Sequence, residues 1–127
     1  MVLEIDVAEA HRRQGSGWTY IDVRSPAEWH GGHPVGAVLV PAFLPGPMGM
    51  EPVSSFVDDM RAKFAPSDLL LIGCASGQRS KRACAELAAA GFTQVVNVAG
   101  GFNGSKDPFG NPISPGWRGA GFPVEQG

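Results

Sequence analysis

The chain has 127 residues, of which 43% are hydrophobic and 17% charged, with a formal net charge of -2. This length and composition predict one folded domain over residues 1–127 and exclude a disordered chain or a multidomain assembly. Because charges of both signs are interspersed, no basic surface for nucleic acid is expected. The apolar runs are too short to span a membrane and the first residues include acids, so we expect a cytoplasmic protein without a membrane partner.

Helix signals occur four times along the chain. They lie at 6–14, at 25–30, at 56–64, and from Arg79 or Ser80 to Ala90. The first segment opens with the acid-then-Glu spacing of a capped helix, and the second opens with a Ser cap, a proline and a glutamate. The other two carry an apolar stripe at helical spacing, and glycine or proline ends them.

Strand signals alternate with the helix signals. The segments 18–23, 37–40, 69–72 and 94–98 are rich in aromatic, β-branched or uninterrupted apolar residues. The wholly apolar segment 69–72 predicts the central strand, 37–40 predicts a strand buried on both faces, and 94–98 predicts the last strand. The alternation predicts an α/β fold, with a mostly parallel sheet and helices on both of its faces.

Two stretches rich in proline and glycine, 41–52 and 103–116, are expected to be loops. The second is long for a compact domain and predicts a segment without regular structure. The apolar residues from Trp117 to Val124 are expected to pin the carboxyl-terminal tail to the domain.

Cys74 follows the predicted central strand and precedes a helix, which is where open α/β sheets bind their ligands. The next residues offer consecutive backbone N–H groups, and Gly77 allows them to form an anion-binding nest. These donors, the helix N-terminus and Arg79 all favour the thiolate over the thiol, so Cys74 is predicted to be a nucleophile. Four residues separate Cys74 from Arg79, one fewer than in cysteine phosphatases, and this tight loop suits a small group such as a sulfur atom.

Five motifs occur in a fixed order along the chain: Tyr20–Arg24, Glu28–Trp29, Gly32–Ala37, Cys74–Ser80 and Ala99–Phe102. In this order and spacing they resemble the single-domain rhodanese-like sulfurtransferases. The resemblance implies a rhodanese-like α/β domain with a central, mostly parallel five-stranded sheet. It also implies a thiosulfate sulfurtransferase in which Cys74 carries a persulfide.

The resemblance further implies which residues and molecules take part in the reaction. The loop residues that would cradle the sulfur are Ala75, Ser76, Gly77, Gln78, Arg79 and Ser80. The donor would be thiosulfate or a persulfide, and the acceptor would be cyanide, a thiol or a protein. No metal or organic cofactor is required, and the protein would be a monomer or a homodimer.

The chain departs from the family pattern in three places. Pro34 is displaced within the Gly32–Ala37 motif, which is expected to alter a turn only. Ala75 is neutral where thiosulfate-using members often have a basic residue, so the natural donor stays open. The segment 103–116 lengthens the chain before Trp117, and we expect it to roof part of the pocket.

Other chemistry-bearing residues have structural interpretations beside the functional ones. Asp22 and Arg24 are predicted to form a structural ion pair that supports the site, Glu28 to complete a capping box, and Cys84 to pack in the core. The three histidines match no zinc spacing, and His33 is expected to pack in a turn. The residue types at 107–111 resemble those of a calcium-binding loop, but their spacing does not match one, and we expect a surface turn.

Lys81 and Arg82 would either recognise an anionic donor or an acidic partner or remain solvated. Two other functions stay open from the residues alone. One is an arsenate reductase or phosphatase of related fold, and the other is a non-catalytic or sulfur-carrier binding domain.

Overall fold

The computed structural model describes residues 2–127. Its helices and strands are, in chain order, β1 (Glu4–Ile5), α1 (Val7–Gln14), β2 (Thr19–Asp22), α2 (Pro26–His30), β3 (His33–Pro34), β4 (Val38–Leu39), β5 (Phe43–Gly46), β6 (Gly49–Pro52), α3 (Phe56–Lys63), β7 (Leu70–Gly73), α4 (Gln78–Ala89), β8 (Val95–Val98), β9 (Ser105–Lys106), β10 (Pro112–Ser114), α5 (Gly116–Gly119) and β11 (Val124–Glu125).

The centre of the fold is a five-stranded parallel sheet with the order β1-β8-β7-β2-β4. The predicted α/β class is therefore confirmed, and β7 is the middle strand, as its uninterrupted apolar sequence predicts. Since all strands are parallel, their carboxyl ends meet at one edge of the sheet, and Cys74 directly follows β7 at that edge.

The two faces of the sheet bury two separate cores. Leu70 and Ile72 of β7 pack in a cluster with residues of α3 and α4, whereas Leu71 packs in a cluster with α1 and Trp117. The period-2 alternation of side chains along a strand explains why neighbouring residues of β7 serve opposite cores. Helices therefore cover both faces, which fixes the position and direction of β7 beneath the loop that follows it.

The sheet differs from the sequence prediction at both edges. The strand at 37–40 was expected to be buried on both faces, but β4 pairs only with β2 at the edge of the sheet and is half-buried. At the opposite edge, β1 pairs in parallel with β8, and this two-residue strand carries no recognisable pattern of its own. The segment 94–98 is the last strand of the central sheet, and three short strands outside that sheet follow it.

Both of the expected loops form short hairpins. Within 41–52, β5 and β6 pair antiparallel over four residues each, and within 103–116, β9 pairs with β10. The prediction that 103–116 lacks regular structure is therefore wrong. The Asp107 side chain accepts hydrogen bonds from the backbone N–H groups of Phe109 and Asn111 and so closes the turn of the second hairpin.

The carboxyl-terminal tail is anchored as predicted. Trp117 is fully buried against Tyr20 and Phe122, and its indole N–H donates to the Pro123 carbonyl. Val124 then pairs with Pro34 in the small sheet formed by β11 and β3.

None of the helices in residues 2–127 is both long and apolar enough to cross a membrane.

Candidate active site

Cys74 lies at the carboxyl edge of the sheet, in the loop between β7 and α4. Its side chain is almost enclosed, with an exposed fraction of 1%. The backbone N–H of Gly77 donates to its Sγ atom at 3.1 Å, and the Ser80 hydroxyl oxygen lies 3.4 Å from the same atom. The loop therefore curls around the sulfur and offers it hydrogen-bond donors from both the backbone and a side chain.

Two glycines allow this tight curl. Gly77 has a φ of +105°, in the left-handed region, and the Cβ of any other residue there would lie 3.2 Å from the Gly100 nitrogen. Gly101 approaches the other side of the loop, where a Cβ would collide with the Cys74 carbonyl oxygen. This close approach lets the Phe102 N–H donate to that carbonyl at 2.8 Å. The glycine pair after β8 thus supports the loop from behind.

A hydrogen-bond network continues from the sulfur through the buried Ser80 and Asn97 to the exposed Glu4 at the edge of the sheet. The Ser80 hydroxyl donates to Asn97 Oδ1 at 2.5 Å, and Asn97 Nδ2 donates to the Gly77 carbonyl and to Glu4 Oε2 at 3.1 and 2.8 Å. Both partners of Nδ2, a carbonyl and a carboxylate oxygen, can only accept a hydrogen bond, which fits an amide nitrogen at this position. Ser80 has one proton and two acceptors, because Cys74 Sγ and Asn97 Oδ1 both lie within reach.

Arg79 is held by an acid from another element. Its guanidinium donates two hydrogen bonds to Glu28, from Nη1 to Oε1 at 2.8 Å and from Nη2 to Oε2 at 2.9 Å. These bonds lower the pKa of Glu28 from 4.5 to about 2. Glu28 also completes the predicted capping box with Ser25, so the same carboxylate caps α2 and fixes the start of α4.

Asp22 and Arg24 form the buried ion pair that the sequence predicts, with Arg24 Nη2 2.7 Å from Asp22 Oδ2. The same guanidinium donates to the Gly32 carbonyl and lies over the Phe102 ring. Because the backbone N–H of Phe102 donates to the Cys74 carbonyl, the ion pair supports the loop through Phe102. Neither side chain of the pair contacts the sulfur by a hydrogen bond within the described residues.

The remaining loop residues differ in exposure. Ser76 and Gln78 are exposed and line a cavity together with the 103–116 segment, whereas Ala75 is half-buried. Cys84 packs in the core beneath the loop, and burial raises the pKa of its thiol to about 12. His33 lies in β3 and not in the predicted turn, and its ring stacks on Trp29 with Nδ1 2.8 Å from the Trp29 carbonyl oxygen.

The two basic residues at the start of α4 make contacts away from the loop. Lys81 lies 3.7 Å from Glu4, and the Arg82 guanidinium lies over the Phe43 ring. Over residues 2–127, the His, Cys, Asp and Glu side chains do not gather in groups of three or more that could hold a metal ion.

The sequence alone did not reveal the partners of the loop side chains. The sequence predicts Glu28 as a cap and as part of a family motif, not as the partner of Arg79, and it predicts no role in the site for Asn97 or Glu4. The one available signal was the polar Asn97 in an otherwise apolar strand, because a buried polar side chain needs partners.

Comparison with known proteins is consistent with this geometry. A family model described as the rhodanese-like domain matches residues 6–107. The chain is 38% identical over 99 residues to the chloroplastic thiosulfate sulfurtransferase 16 of Arabidopsis thaliana, covering 78% of this chain and 82% of the relative. It is 39% identical over 103 residues to thiosulfate sulfurtransferase 18 of the same plant, covering 80% and 76%. The crystal structure of Rv0390 from M. tuberculosis superposes with a TM-score of 0.79 and 28% identity, covering 98% of this chain and 97% of that one.

Proposed function

The chain belongs to the family of rhodanese-like domains, and from this premise we propose that it transfers a sulfane sulfur from a donor such as thiosulfate to a thiol or cyanide through a persulfide on Cys74. Its similarity to two thiosulfate sulfurtransferases supports sulfurtransferase activity in general. The single observation that carries the proposal is the enclosed Cys74 sulfur, with the Gly77 N–H at 3.1 Å and the Ser80 hydroxyl at 3.4 Å.

In the first step the Cys74 thiolate attacks the outer sulfur of the donor. The thiolate electron pair forms the new S–S bond, and the electron pair of the old S–S bond leaves with sulfite when the donor is thiosulfate. The Gly77 N–H and the Ser80 hydroxyl stabilise the negative sulfur before the attack, because hydrogen bonds to a charged group are stronger than those to a neutral one.

In the second step an acceptor thiolate or cyanide attacks the outer sulfur of the persulfide. The bond between the two sulfurs breaks, its electron pair returns to Cys74, and a new persulfide or thiocyanate leaves. The sulfur moves at the same oxidation level in both steps, so neither an oxidant nor a reductant is consumed. This balance fits a site built from hydrogen-bond donors around one thiol.

The loop has further backbone N–H donors that can bind the extra sulfur. The backbone N–H groups of Ala75, Ser76 and Gln78 have no backbone acceptor among residues 2–127. Such donors at the start of a helix suit a negatively charged sulfur. The enclosure of Cys74 further favours donors with a terminal, unhindered sulfur, because only a slim group reaches an atom that is nearly out of contact with solvent.

The site also argues against substrates whose oxyanion centre is itself attacked by the cysteine. Four residues separate Cys74 from Arg79, and the Arg79 guanidinium is already bound by both oxygens of Glu28. An oxyanion whose central atom is attacked by Cys74 has to enter the loop and compete with that carboxylate for the guanidinium, whereas thiosulfate brings only its outer sulfur to Cys74. We therefore favour sulfur transfer over arsenate reduction or phosphate-ester hydrolysis.

The proposal is tested by turnover with thiosulfate and cyanide, measuring the thiocyanate and sulfite released. We expect the two products in equal amounts from the wild-type protein and neither from Cys74→Ser. Cys84→Ala serves as the matched cysteine control and is expected to turn over. Arsenate reduction or phosphate-ester hydrolysis that depends on Cys74, without thiocyanate formation, would overturn the proposal.

A further inference from the structure

A cavity of about 580 Å³ lies beside the Cys74 loop. One wall consists of Ser76 and Gln78, and the other consists of the 103–106 and 112–115 parts of the second hairpin. This volume falls in the range of roughly 300–1,000 Å³ that is typical of small-molecule sites. It exceeds what cyanide or thiosulfate alone would need, so it leaves room for a larger sulfur compound.

The lining of this cavity combines polar side chains with a glycine and two prolines, and its charge has one sign. Ser76, Gln78, Asn103 and Ser105 offer hydroxyl and amide groups, Lys106 supplies the one charge, and the lining contains no carboxylate. Such a surface attracts a negatively charged group and supplies hydrogen-bond donors to it.

Lys106 is available for a ligand. In the described part of the chain its ammonium forms no ion pair, and its neighbour Asp107 is occupied by the turn that it closes. Asp107 Oδ1 accepts two backbone N–H groups and Oδ2 accepts the Asn111 amide, and these bonds lower the pKa of Asp107. The carboxylate next to Lys106 is thus held by its own turn.

The cavity adjoins the loop that holds the reacting sulfur. Asn103, at the base of the hairpin, donates its backbone N–H to the Ala75 carbonyl at 2.8 Å, directly after the bond from Phe102 to Cys74. Ser76, which lines the cavity, is two residues from Cys74. Cys74 itself is not part of the lining, so the cavity suits the far end of a molecule whose sulfur lies at the loop.

We propose that this cavity binds the anionic end of a small sulfur compound, with a carboxylate or sulfonate at Lys106 and the sulfur directed to the Cys74 loop. The inference rests on the proposed function, because it assigns a substrate class to that site. The compound is either a donor that leaves its outer sulfur on Cys74 or a thiol that removes it, by the two electron-balanced steps given above. The hairpin 103–116 then determines specificity, with Lys106 as the residue that selects for negative charge.

The test uses three thiols that differ only in their far end: 2-mercaptoethanesulfonate, 2-mercaptoethanol and 2-aminoethanethiol. Cys74 is first loaded with sulfur from thiosulfate, and the rate of discharge to each thiol is measured by intact-protein mass spectrometry and expressed per thiolate. We expect the sulfonate to be preferred over the alcohol and the alcohol over the amine. Lys106→Gln should lower the sulfonate-to-alcohol ratio about fivefold, as for one partly exposed ion pair, and Lys106→Glu should lower it further.

Lys63→Glu is the matched control for Lys106→Glu, since Lys63 is an exposed residue of α3 outside the cavity lining and the two substitutions change the net charge equally. Its ratios should equal those of the wild type. If the Lys106 variants slow loading from thiosulfate instead of discharge, the anion belongs to the donor. If both Lys106 variants load and discharge as Lys63→Glu does, the proposal is overturned.

A binding measurement keeps this inference separate from the transfer reaction. 2-Hydroxyethanesulfonate, which has the anionic end but no thiol, is titrated into the protein while backbone amide NMR shifts are followed. We expect saturable shifts at Ser76, Ser105 and Lys106, and none in Lys106→Glu. If Cys74 never takes up sulfur, the proposed function fails, whereas missing shifts in the wild type contradict the cavity assignment alone.

Discussion

The Ser80 hydroxyl lies between two acceptors that it cannot serve at once. It is 2.5 Å from Asn97 Oδ1 and 3.4 Å from Cys74 Sγ. A thiolate is the better acceptor because it is charged, so the proton is expected to turn towards the sulfur as Cys74 ionises. The Asn97 amide, which is fixed by Glu4 and the Gly77 carbonyl, holds the hydroxyl while its proton points to Oδ1, and this hydrogen bond is given up when the proton turns to the sulfur.

Ser80→Ala is expected to slow sulfur loading onto Cys74 about ten- to a hundredfold. The reason is the loss of a hydrogen bond to a charged group, which is typically worth about 1.5–3 kcal/mol. The measurement is the rate of persulfide formation at fixed thiosulfate, with Ser67→Ala, a change at an exposed surface serine, as the control. A Ser80→Ala protein that folds and loads at the wild-type rate would contradict the role given to the hydroxyl.

Cys84 is expected to take no part in the reaction. Burial raises the pKa of its thiol to about 12, so it stays protonated near neutral pH and is a poor nucleophile. We predict that Cys84→Ala loads one sulfur on Cys74, and that iodoacetamide at pH 8 leaves Cys84 of the folded protein unlabelled. Peptide mapping checks both predictions. A persulfide on Cys84 of the wild-type protein would refute the claim that Cys84 takes no part in the reaction.

At the scale of elements, one carboxylate links two helices across the site. Glu28 caps α2 and binds Arg79 in the first turn of α4, so the orientation of α2 and the shape of the Cys74 loop depend on the same side chain. The lowered pKa of Glu28 corresponds to a stabilisation of at most about 3 kcal/mol near pH 7, and solvent screens part of it because the two side chains remain 20% and 31% exposed. The pair also fixes the loop.

Glu28→Gln is expected to lower the free energy of unfolding near pH 7 and to lose that effect in acid. The folded protein holds the pKa of Glu28 at about 2, below its ordinary value of 4.5. Its stabilisation is therefore fully present above about pH 4.5 and is lost as the pH falls through about 2. Urea unfolding of both proteins at pH 7, 4 and 3 measures the difference.

Glutamine retains the capping-box geometry at this position, so the substitution isolates the charge. Glu86→Gln on α4 is the control, because Glu86 makes no side-chain hydrogen bond in the part of the chain that the structure describes. A wild-type advantage over Glu28→Gln that stays constant between pH 7 and pH 3 would show that the lowered pKa is not the cause.

Elements with local signals could be predicted from the sequence, and elements that depend on distant partners could not. The cap of α2 and the apolar run of β7 are visible in a few consecutive residues. In contrast, β1 is a strand only because β8 lies beside it, 93 residues along the chain from Glu4 to Asn97. For the same reason the pairing of Arg79 with Glu28 could not be predicted, because the two residues are 51 positions apart in the chain.

At the scale of the whole molecule, the tail closes the core on one face of the sheet. Trp117 is fully buried between α1 and the sheet, and the chain before it supplies the hairpin beside the loop. The turn at Gly101 connects these parts, because the Trp117 N–H donates to the Gly101 carbonyl at 2.8 Å. The anchor of the tail thus also supports the back of the Cys74 loop.

Trp117→Ala is expected to lower the free energy of unfolding by about 3–5 kcal/mol, because it leaves a large cavity in a closed core. Phe109→Ala is the matched aromatic control. The Phe109 side chain is 88% exposed at the tip of the hairpin, so its removal should change stability by no more than about 0.5 kcal/mol. Urea unfolding compares the two, and equal effects would contradict the packing described for Trp117.

Intact-protein mass spectrometry after brief exposure to thiosulfate tests the central claim most directly. The account predicts that the wild-type protein gains one sulfur atom on Cys74, that cyanide removes it, and that Cys74→Ser gains none. If folded, reduced wild-type protein gains no sulfur, or if Cys74→Ser gains as much, Cys74 is not the sulfur carrier and the account is wrong.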